Sequence, residues 1–289
     1  MATEVNGRAF EAAPRRVKVI RPPSLSAAAL LGGLKTLWEY GDLLRAFSVH
    51  RIRVRYKQSA LGLAWAVVQP LSLMLIYTLV FSVIARVPSG GTPYAVFAFS
   101  ALLPWTFFST ALTNATNGLV SHAHLVTKVY FPREILPLSY VVAALFDLLV
   151  ASSVMAGLML YYRVPVTWNV LWAVPVVLVL TAFLTAVAFL LSATQVRFRD
   201  IGVAMPLLLQ LWMFATPVVY PLDQVPPRFL GLYTLNPLVG VVEGFRRAVL
   251  LGQPPDFRLL GISAAAALVL LPASYLYFKR VDATVADII

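Results

Sequence analysis

Long stretches without a charged side chain are the feature that most restricts how this chain can fold. From Gln58 to Ala85 the sequence contains no Asp, Glu, Lys or Arg, and several further uncharged runs follow. A helix needs about 20 predominantly apolar residues to cross the hydrocarbon core of a bilayer. Only 12% of the residues are charged, whereas a soluble domain carries roughly a quarter. The chain is therefore expected to be an integral membrane protein.

Charged clusters and turns rich in Pro or Gly divide the apolar sequence into six predicted transmembrane helices, so the predicted fold class is all-α. The predicted spans are residues 60–85, 94–114, 135–162, 170–193, 201–220 and 259–278. An amphipathic helix over residues 34–50 is expected to lie flat in the membrane interface. With the spans it forms one transmembrane domain, residues 34–289. Pro70 predicts a kink in the first span.

Lys and Arg residues are distributed unevenly between the two sides of these spans. Seventeen of the 23 fall in the N-terminal region, in the loops after the second and fourth spans, and after the sixth span; six fall on the other side. Basic residues are enriched on the cytoplasmic side of membrane proteins, so both termini are predicted to be cytoplasmic. Residues 1–33, rich in Ala, Pro and Arg, are predicted to form a flexible basic cytoplasmic tail.

The segment between the fifth and sixth spans is apolar but contains Glu243, Arg246 and Arg247. These charges would cost several kcal/mol at the middle of a bilayer, which argues against a seventh span. The sequence instead predicts a re-entrant or interfacial helical hairpin that turns at Asn236 and Pro237, with Glu243 and Arg246 at the level of water. Non-helical backbone at membrane depth must face protein or a water-filled cavity, so this hairpin should border a translocation path.

The composition limits the chemistry that the chain can perform. It has no Cys and only three His, so a disulfide or thiolate metal site is excluded and a histidine metal cluster is not expected. No Gly-Lys-Ser or Gly-Lys-Thr sequence occurs, so the chain has no Walker A motif. We expect no metal site, no cofactor and no catalytic residue here. The net charge of +11 lies beside apolar spans, which favours lipid headgroups over a nucleic-acid partner.

Four alternating cations, Arg51, Arg53, Arg55 and Lys57, precede the first span. On a helix they fall into two pairs on different faces, Arg51 with Arg55 and Arg53 with Lys57. They either fix the topology through general headgroup contacts or recognise a phosphate, for which an Arg fork is well shaped. Asp147 is the only acid inside a predicted span. It is either part of a functional site or a polar contact between helices, and a proton relay would need more than one such group.

Several short blocks of residues follow one another along the chain. Arg55-Tyr56-Lys57-Gln58-Ser59 is followed by Leu61-Gly62, and Lys128-Val129-Tyr130-Phe131-Pro132-Arg133-Glu134 follows the second span. Arg197-Phe198-Arg199-Asp200 precedes the fifth span, and Leu235-Asn236-Pro237-Leu238 follows it. With the predicted spans, these blocks resemble the type-2 ABC exporter permeases for polysaccharides, the membrane subunits that export O-antigen, capsule or teichoic acid. The resemblance covers roughly residues 35–289.

This resemblance implies a homodimer in the bacterial cytoplasmic (inner) membrane, docked on two copies of a separate ATPase that binds ATP and Mg. The implied substrate is a glycan on an undecaprenyl-type lipid pyrophosphate, which Arg51, Arg53, Arg55 and Lys57 would meet at the entrance. The loop after the second span would form the coupling helix. Its predicted docking residues are Lys128, Tyr130, Arg133 and Glu134. An ordinary basic loop is the alternative reading of the same residues.

Deeply placed aromatic side chains are candidates for the wall of a sugar conduit, because an aromatic face packs against the C–H side of a pyranose. These candidates are Tyr77, Phe81, Trp105, Phe108, Trp212 and Phe214. Packing against lipid is the alternative for each. Three rival functions share parts of the pattern: a type-2 exporter of a small lipid or drug, an ATP-independent transporter or channel, and a membrane glycan polymerase or ligase. Intramembrane charges or catalytic acids in outer loops would favour the last two.

Overall fold

A computed structural model of the chain describes residues 27–57, 61–87 and 91–288. Helix α1 begins at Ala27, so residues 27–33, which were predicted to belong to the flexible tail, are helical. The remainder of that predicted tail lies outside the described residues. Every regular element in the described part is helical, which confirms the all-α fold class.

The described ranges contain eleven α-helices, which are named here in chain order. They are α1 (Ala27–Glu39), α2 (Gly41–Lys57), α3 (Trp65–Tyr77), α4 (Tyr94–Ser121), α5 (Ala123–Lys128), α6 (Ile135–Tyr161), α7 (Ala173–Arg197), α8 (Asp200–Phe214), α9 (Pro227–Thr234), α10 (Pro237–Val249) and α11 (Phe257–Ile288). Helix α3 continues as a π-helix over Thr78–Ile84, and short 3₁₀ turns lie at Gly62–Ala64, Trp168–Trp172 and Leu222–Gln224.

Within the described residues, five helical segments are long and apolar enough to cross a membrane. They are Trp65–Ile84, Tyr94–Ser121, Ile135–Tyr161, Trp168–Arg197 and Phe257–Val285. All five correspond to predicted spans, although their limits differ from the predicted ones. Helix α4, for example, continues beyond the predicted limit at residue 114, because Asn114 and Asn117 donate to the carbonyls of Thr110 and Thr113 in the preceding turn. Polar side chains satisfied in this way do not interrupt a helix.

The predicted fifth span differs most from the structure. Helix α8 has only 15 residues, about 22 Å at 1.5 Å per residue, which is short of the roughly 30 Å hydrocarbon core. The sequence explains this early end, because Pro217 disfavours helical backbone at the residue before it and removes a backbone N–H. The chain from Ala215 to Tyr220 is therefore irregular.

The segment 200–220 nevertheless runs between the two ends of α4. At its start, the Gly202 N–H donates to Gln195 Oε1 (2.6 Å), and Gln195 Nε2 donates to Asn117 Oδ1 near the end of α4 (3.3 Å). At its far end, the hydroxyl of Tyr94, the first residue of α4, donates to the Val219 carbonyl (2.6 Å). Helix α8 and the irregular backbone after it together extend from one end of α4 to the other.

Helix α4 is the centre of the bundle. In its most apolar window 78% of the residues are buried, whereas only 11% are buried in the corresponding window of the first span. Helices α3, α6, α7, α8 and α10 all pack against α4, and α11 packs against α7 and α10. The first span and α8 therefore leave most of their apolar surface uncovered by this chain.

Helices α10 and α11 approach each other closely at Gly240. A Cβ atom built on Gly240 would lie 2.3 Å from the Leu259 carbonyl oxygen and 2.4 Å from Ser263 Oγ. Because one of these neighbours is backbone, the contact cannot be relieved by rotating a side chain. The absence of a Cβ at position 240 thus determines how near α10 lies to the last helix.

Replacing Gly240 by Ala should separate α10 from α11 and lower the stability of the protein. Overpacking of this kind costs about 1–3 kcal/mol. The matched control is Gly261→Ala in α11, where an added Cβ has no neighbour within 4 Å, so the substitution should stabilise the helix by up to about 1 kcal/mol. Thermal unfolding in detergent measures both, and equal midpoints for the two variants would contradict the close contact.

Candidate functional site

Helices α2 and α6 are joined by polar contacts at two levels. At the first level, Arg51 Nε donates to Ser139 Oγ (2.6 Å), and its guanidinium lies 3.4 Å from the centre of the Tyr140 ring. At the second level, Arg55 forms an ion pair with Asp147, and the Tyr56 hydroxyl donates to the other oxygen of the same carboxylate. The intramembrane acid therefore has both oxygens bonded by residues of α2.

This pairing places the end of α2 beside the middle of α6. Asp147 lies 12 residues after Ile135, where α6 begins, and 14 before Tyr161, where it ends. The distance along the helix is about 18 Å. An interfacial helix lying flat across the cytoplasmic end of α6 would not reach this position. A flat helix is predicted over residues 34–50. The last turns of α2, after residue 50, instead run along α6.

The four entrance cations occupy two different environments. Arg51 and Arg55 contact α6, as described above, whereas Arg53 and Lys57 are exposed on other faces of α2. This division follows the alternation of the four residues on a helix. Burial raises the pKa of Tyr56 to about 12, and its hydrogen bond to Asp147 acts in the same direction. Tyr56 consequently keeps its proton and remains a donor to the carboxylate at physiological pH.

A cavity of about 280 Å³ adjoins the Arg55–Asp147 pair. It is enclosed by the end of α2, the first turns of α3 and the middle portions of α4 and α6. Trp65 and Phe107 supply aromatic walls, and the polar side chains of Gln69, Thr110 and Asn114 also line it. The cavity lies within one chain.

The predicted docking residues after the second span fall into two groups. Lys128 and Tyr130 are exposed near the end of α5. Arg133 and Glu134 instead pair with the last helix: Arg133 Nη1 lies 3.1 Å from Asp282 Oδ1, and Lys279 Nζ lies 2.7 Å from a carboxylate whose side chain is fully buried, that of Glu134. Within this chain, Arg133 and Glu134 thus attach the loop to α11.

The conduit candidates also separate by burial. Trp105 and Phe108 are core residues of α4, and Phe108 packs edge-to-face on Trp212 with 5.1 Å between ring centres. Tyr77 and Phe81 are half-buried at the junction of α3 with its π-helical extension, and the Tyr77 hydroxyl lies 3.5 Å from Met213 Sδ. Phe214, at the end of α8, is 46% exposed. The surface-facing candidates are therefore near the ends of α3 and α8.

Helices α9 and α10 meet at the predicted turn. Asn236 Oδ1 accepts from the Leu238 N–H (3.1 Å) and from Trp212 Nε1 (3.0 Å), and Asn236 Nδ2 donates to the Ala215 carbonyl (3.0 Å). Pro237 occupies the first turn of α10, where its missing N–H has no consequence. Asn236 therefore caps α10 and holds it to the irregular end of the fifth segment.

Arg246 corrects the expectation that its charge would lie at the level of water. Its side chain is 2% exposed, and Nη2 donates to the carbonyls of Pro217 (2.7 Å) and Val218 (3.1 Å). Glu243 pairs with it at 3.1 Å, and the guanidinium lies 4.0 Å from the centre of the Phe97 ring. Burial lowers the pKa of Arg246, while Glu243 favours its charged form. The irregular backbone after α8 needs donors, and Arg246 supplies them from α10.

Sequence reasoning missed the partners of the isolated charges. Tyr56, Asp282 and Lys279 are not singled out as partners by the sequence, yet they bind Asp147, Arg133 and Glu134, respectively. One signal was available. A charge in or beside an apolar span requires a partner, so each such charge predicts a complementary residue elsewhere.

Comparison with known proteins identifies similar sequences over most of the chain. The sequence profile of the ABC-2 type transporters matches residues 43–250. The O-antigen export system permease protein RfbA of Myxococcus xanthus is 34% identical over 248 residues, which is 85% of this chain and 95% of that protein. A permease of the same name from Klebsiella pneumoniae is 30% identical over 71% of this chain and 79% of its own length. The polysialic acid transport protein KpsM of Escherichia coli is 24% identical over 72% and 81%.

The pairing of Arg55 with Asp147 predicts a favourable coupling between the two positions. Asp147→Asn and Arg55→Met should each destabilise the protein, and the double variant should lose less than their sum. We expect a coupling free energy of about 1 kcal/mol, below that of a fully buried pair because the Arg55 side chain is 35% exposed. Thermal unfolding of the four proteins in detergent measures it, with Arg53→Met as the exposed control. Strict additivity would contradict the pairing.

Proposed function

Because this chain belongs to the ABC-2 type transporter family, as the match over residues 43–250 shows, we propose that it is the transmembrane subunit of an ATP-driven polysaccharide exporter. The observation that carries the proposal is the similarity to an O-antigen export permease over 95% of that protein's length. A second relative is named for polysialic acid transport, which favours a glycan over the small lipid or drug of the rival reading. The protein resides in the cytoplasmic membrane and is not itself an enzyme.

The energy source in this proposal is a separate ATPase subunit. The chain has no Walker A motif, so ATP and Mg bind to the partner. Two copies of the ATPase act on a homodimer of this chain. Lys128 and Tyr130 form the docking surface, since both are exposed beside α5. Arg133 and Glu134 transmit the motion, because their ion pairs with α11 connect the loop rigidly to the last helix.

The membrane topology that we propose has six crossings and cytoplasmic termini. Five crossings are the long apolar segments, and the sixth is the segment 200–220, which reaches both ends of α4 through the contacts of Gly202 and Val219. Helices α9 and α10 form the outer hairpin, with Asn236, Pro237, Glu243 and Arg246 holding the irregular end of that crossing. An even number of crossings agrees with the concentration of Lys and Arg on one side.

The cytoplasmic entrance in this proposal is a water-filled vestibule beside α2. Arg53 and Lys57 are exposed, yet they flank a residue that pairs with Asp147 at the middle of α6. Exposed cations at that depth are tolerated only beside water or protein. Arg53 and Lys57 are free to meet the pyrophosphate of an undecaprenyl-linked glycan, whereas Arg51 and Arg55 serve to hold α2 against α6. A glycan then leaves between two copies, past Tyr77, Phe81 and Phe214.

Export can be tested in a cell that makes the glycan of the source organism. When this chain is removed and the ATPase and the glycosyltransferases are left in place, surface glycan should be lost. The polymer should accumulate on the cytoplasmic side of the membrane. Antibody or lectin labelling of intact and permeabilised cells distinguishes the two locations. Surface glycan at the normal level in the absence of this chain would contradict the proposal.

Docking can be separated from folding by two charge variants. Lys128→Glu should reduce co-purification of the ATPase at least fivefold and leave the thermal midpoint of the isolated permease unchanged, because Lys128 is exposed. Glu134→Gln should lower that midpoint, because it leaves Lys279 beside a neutral buried group. If Lys128→Glu has no effect on co-purification in low salt, the docking surface lies elsewhere.

A further inference from the structure

The cavity beside the Arg55–Asp147 pair is not used by any step described above. Its volume of about 280 Å³ lies just below the usual range of small-molecule sites, about 300–1,000 Å³. It therefore has room for one ring with its substituents and not for two. Its lining residues come from α2, α3, α4 and α6.

The electrostatics of the cavity favour an uncharged ligand. Arg55 and Asp147 are its only charged lining residues among those that the structure describes, and they neutralise each other in an ion pair. Tyr56 donates to the same carboxylate. A phosphate placed here would compete with Asp147 for Arg55 and would lie against a carboxylate. Like charges at such short distances repel strongly in a medium of low dielectric constant.

Hydrogen-bonding groups from α3 and α4 that line the cavity have capacity to spare. Asn114 Nδ2 donates to the Thr110 carbonyl (2.9 Å), which leaves the amide oxygen of Asn114 available. Within the described residues, neither the Gln69 amide nor the Thr110 hydroxyl has a hydrogen-bond partner. These groups combine donors with acceptors, and they line the same cavity as the aromatic side chains of Trp65 and Phe107. Hydroxyls on the edge of a ring and C–H groups on its face match such a surface.

We propose that this cavity binds a single uncharged hexopyranose unit. The inference rests on the proposed function and deepens it, because it assigns to each copy of the permease a site for one sugar of the exported chain. The ring lies between Trp65 and Phe107, and its hydroxyls bond to Gln69, Thr110 and Asn114. An acidic sugar is disfavoured by Asp147. The site sits beside the entrance cations, so a sugar can be recognised before it reaches the path between copies.

Binding can be measured on the permease alone, without its ATPase. The full chain is placed in phospholipid nanodiscs, which avoids the sugar headgroups of common detergents. Methyl hexopyranosides and N-acetylglucosamine are then titrated by saturation-transfer NMR. We expect dissociation constants on the order of millimolar, as is usual for ligands of this size. N-acetylneuraminic acid and inorganic pyrophosphate should bind at least fivefold more weakly.

A matched pair of variants tests the location of the site. Thr110→Val keeps the shape of the side chain but removes a hydroxyl that lines the cavity, and it should weaken binding of the neutral sugars at least fivefold. Thr113→Val, one turn along the same helix, removes a hydroxyl that bonds to the Ser109 carbonyl (2.8 Å) and does not line the cavity. It should leave binding unchanged. Equal effects of the two variants would overturn the assignment.

The outcome of the cell experiment is independent of this measurement. If no neutral sugar binds while the unmodified chain restores surface glycan, the site is wrong and the exporter function stands. If neutral sugars bind in a Thr110-dependent manner while the chain exports no glycan, the site is supported and the proposed function is wrong. Binding of pyrophosphate alone overturns the sugar assignment.

Discussion

The carboxylate of Asp147 imposes the constraint on which the packing of α2 against α6 depends. It lies near the middle of a 27-residue apolar helix, where an unpaired charge is expensive. Arg55 and Tyr56 satisfy both of its oxygens, and this brings the end of α2 along α6 towards the middle of the bundle. The exposed neighbours Arg53 and Lys57 therefore lie at the same depth. Arg55 and Asp147 also form part of the wall of the adjoining cavity. In the proposed function, the entrance depends on this half-buried acid and its partners.

At the opposite end of the bundle, the polar groups that need hydrogen-bond partners are backbone carbonyls. The residues after α8 leave carbonyl groups without helical partners, and bare backbone is costly away from water. Side chains from α4 and from α10 with its N-cap satisfy them: Tyr94 binds the Val219 carbonyl, Asn236 binds the Ala215 carbonyl, and Arg246 binds those of Pro217 and Val218. The charged residues that argue against a seventh span thus have a structural role, since Arg246 stabilises the irregular backbone after α8. Gly240 lets the helix that carries Arg246 pack directly against α11.

Much of this architecture could be predicted from the sequence, because the length and polarity of apolar runs determine whether a helix can cross a membrane. Five spans, the helix-rich fold, the turn at Asn236 and the family resemblance were accessible in this way. The sequence did not show which charged side chains pair with each other. Periodicity identified Asp147 and the alternating cations separately, but a single sequence does not reveal that Arg55 meets Asp147 or that Lys279 meets Glu134. The early end of α8 was signalled by Pro217, yet hydropathy extended the span to residue 220, because hydropathy does not register lost backbone hydrogen bonds.

Water accessibility at the level of Asp147 tests the central claim most directly. The natural chain has no Cys, so single cysteines can be placed without a background. Cysteine at position 53 should react with a membrane-impermeant maleimide in inside-out vesicles, because Arg53 faces the proposed vestibule. Cysteine in place of Leu149, which is 70% exposed on the other side of α6, should be protected by lipid. Protection at position 53 equal to that at position 149 would show that lipid, not water, surrounds the end of α2, and the entrance described here would be wrong.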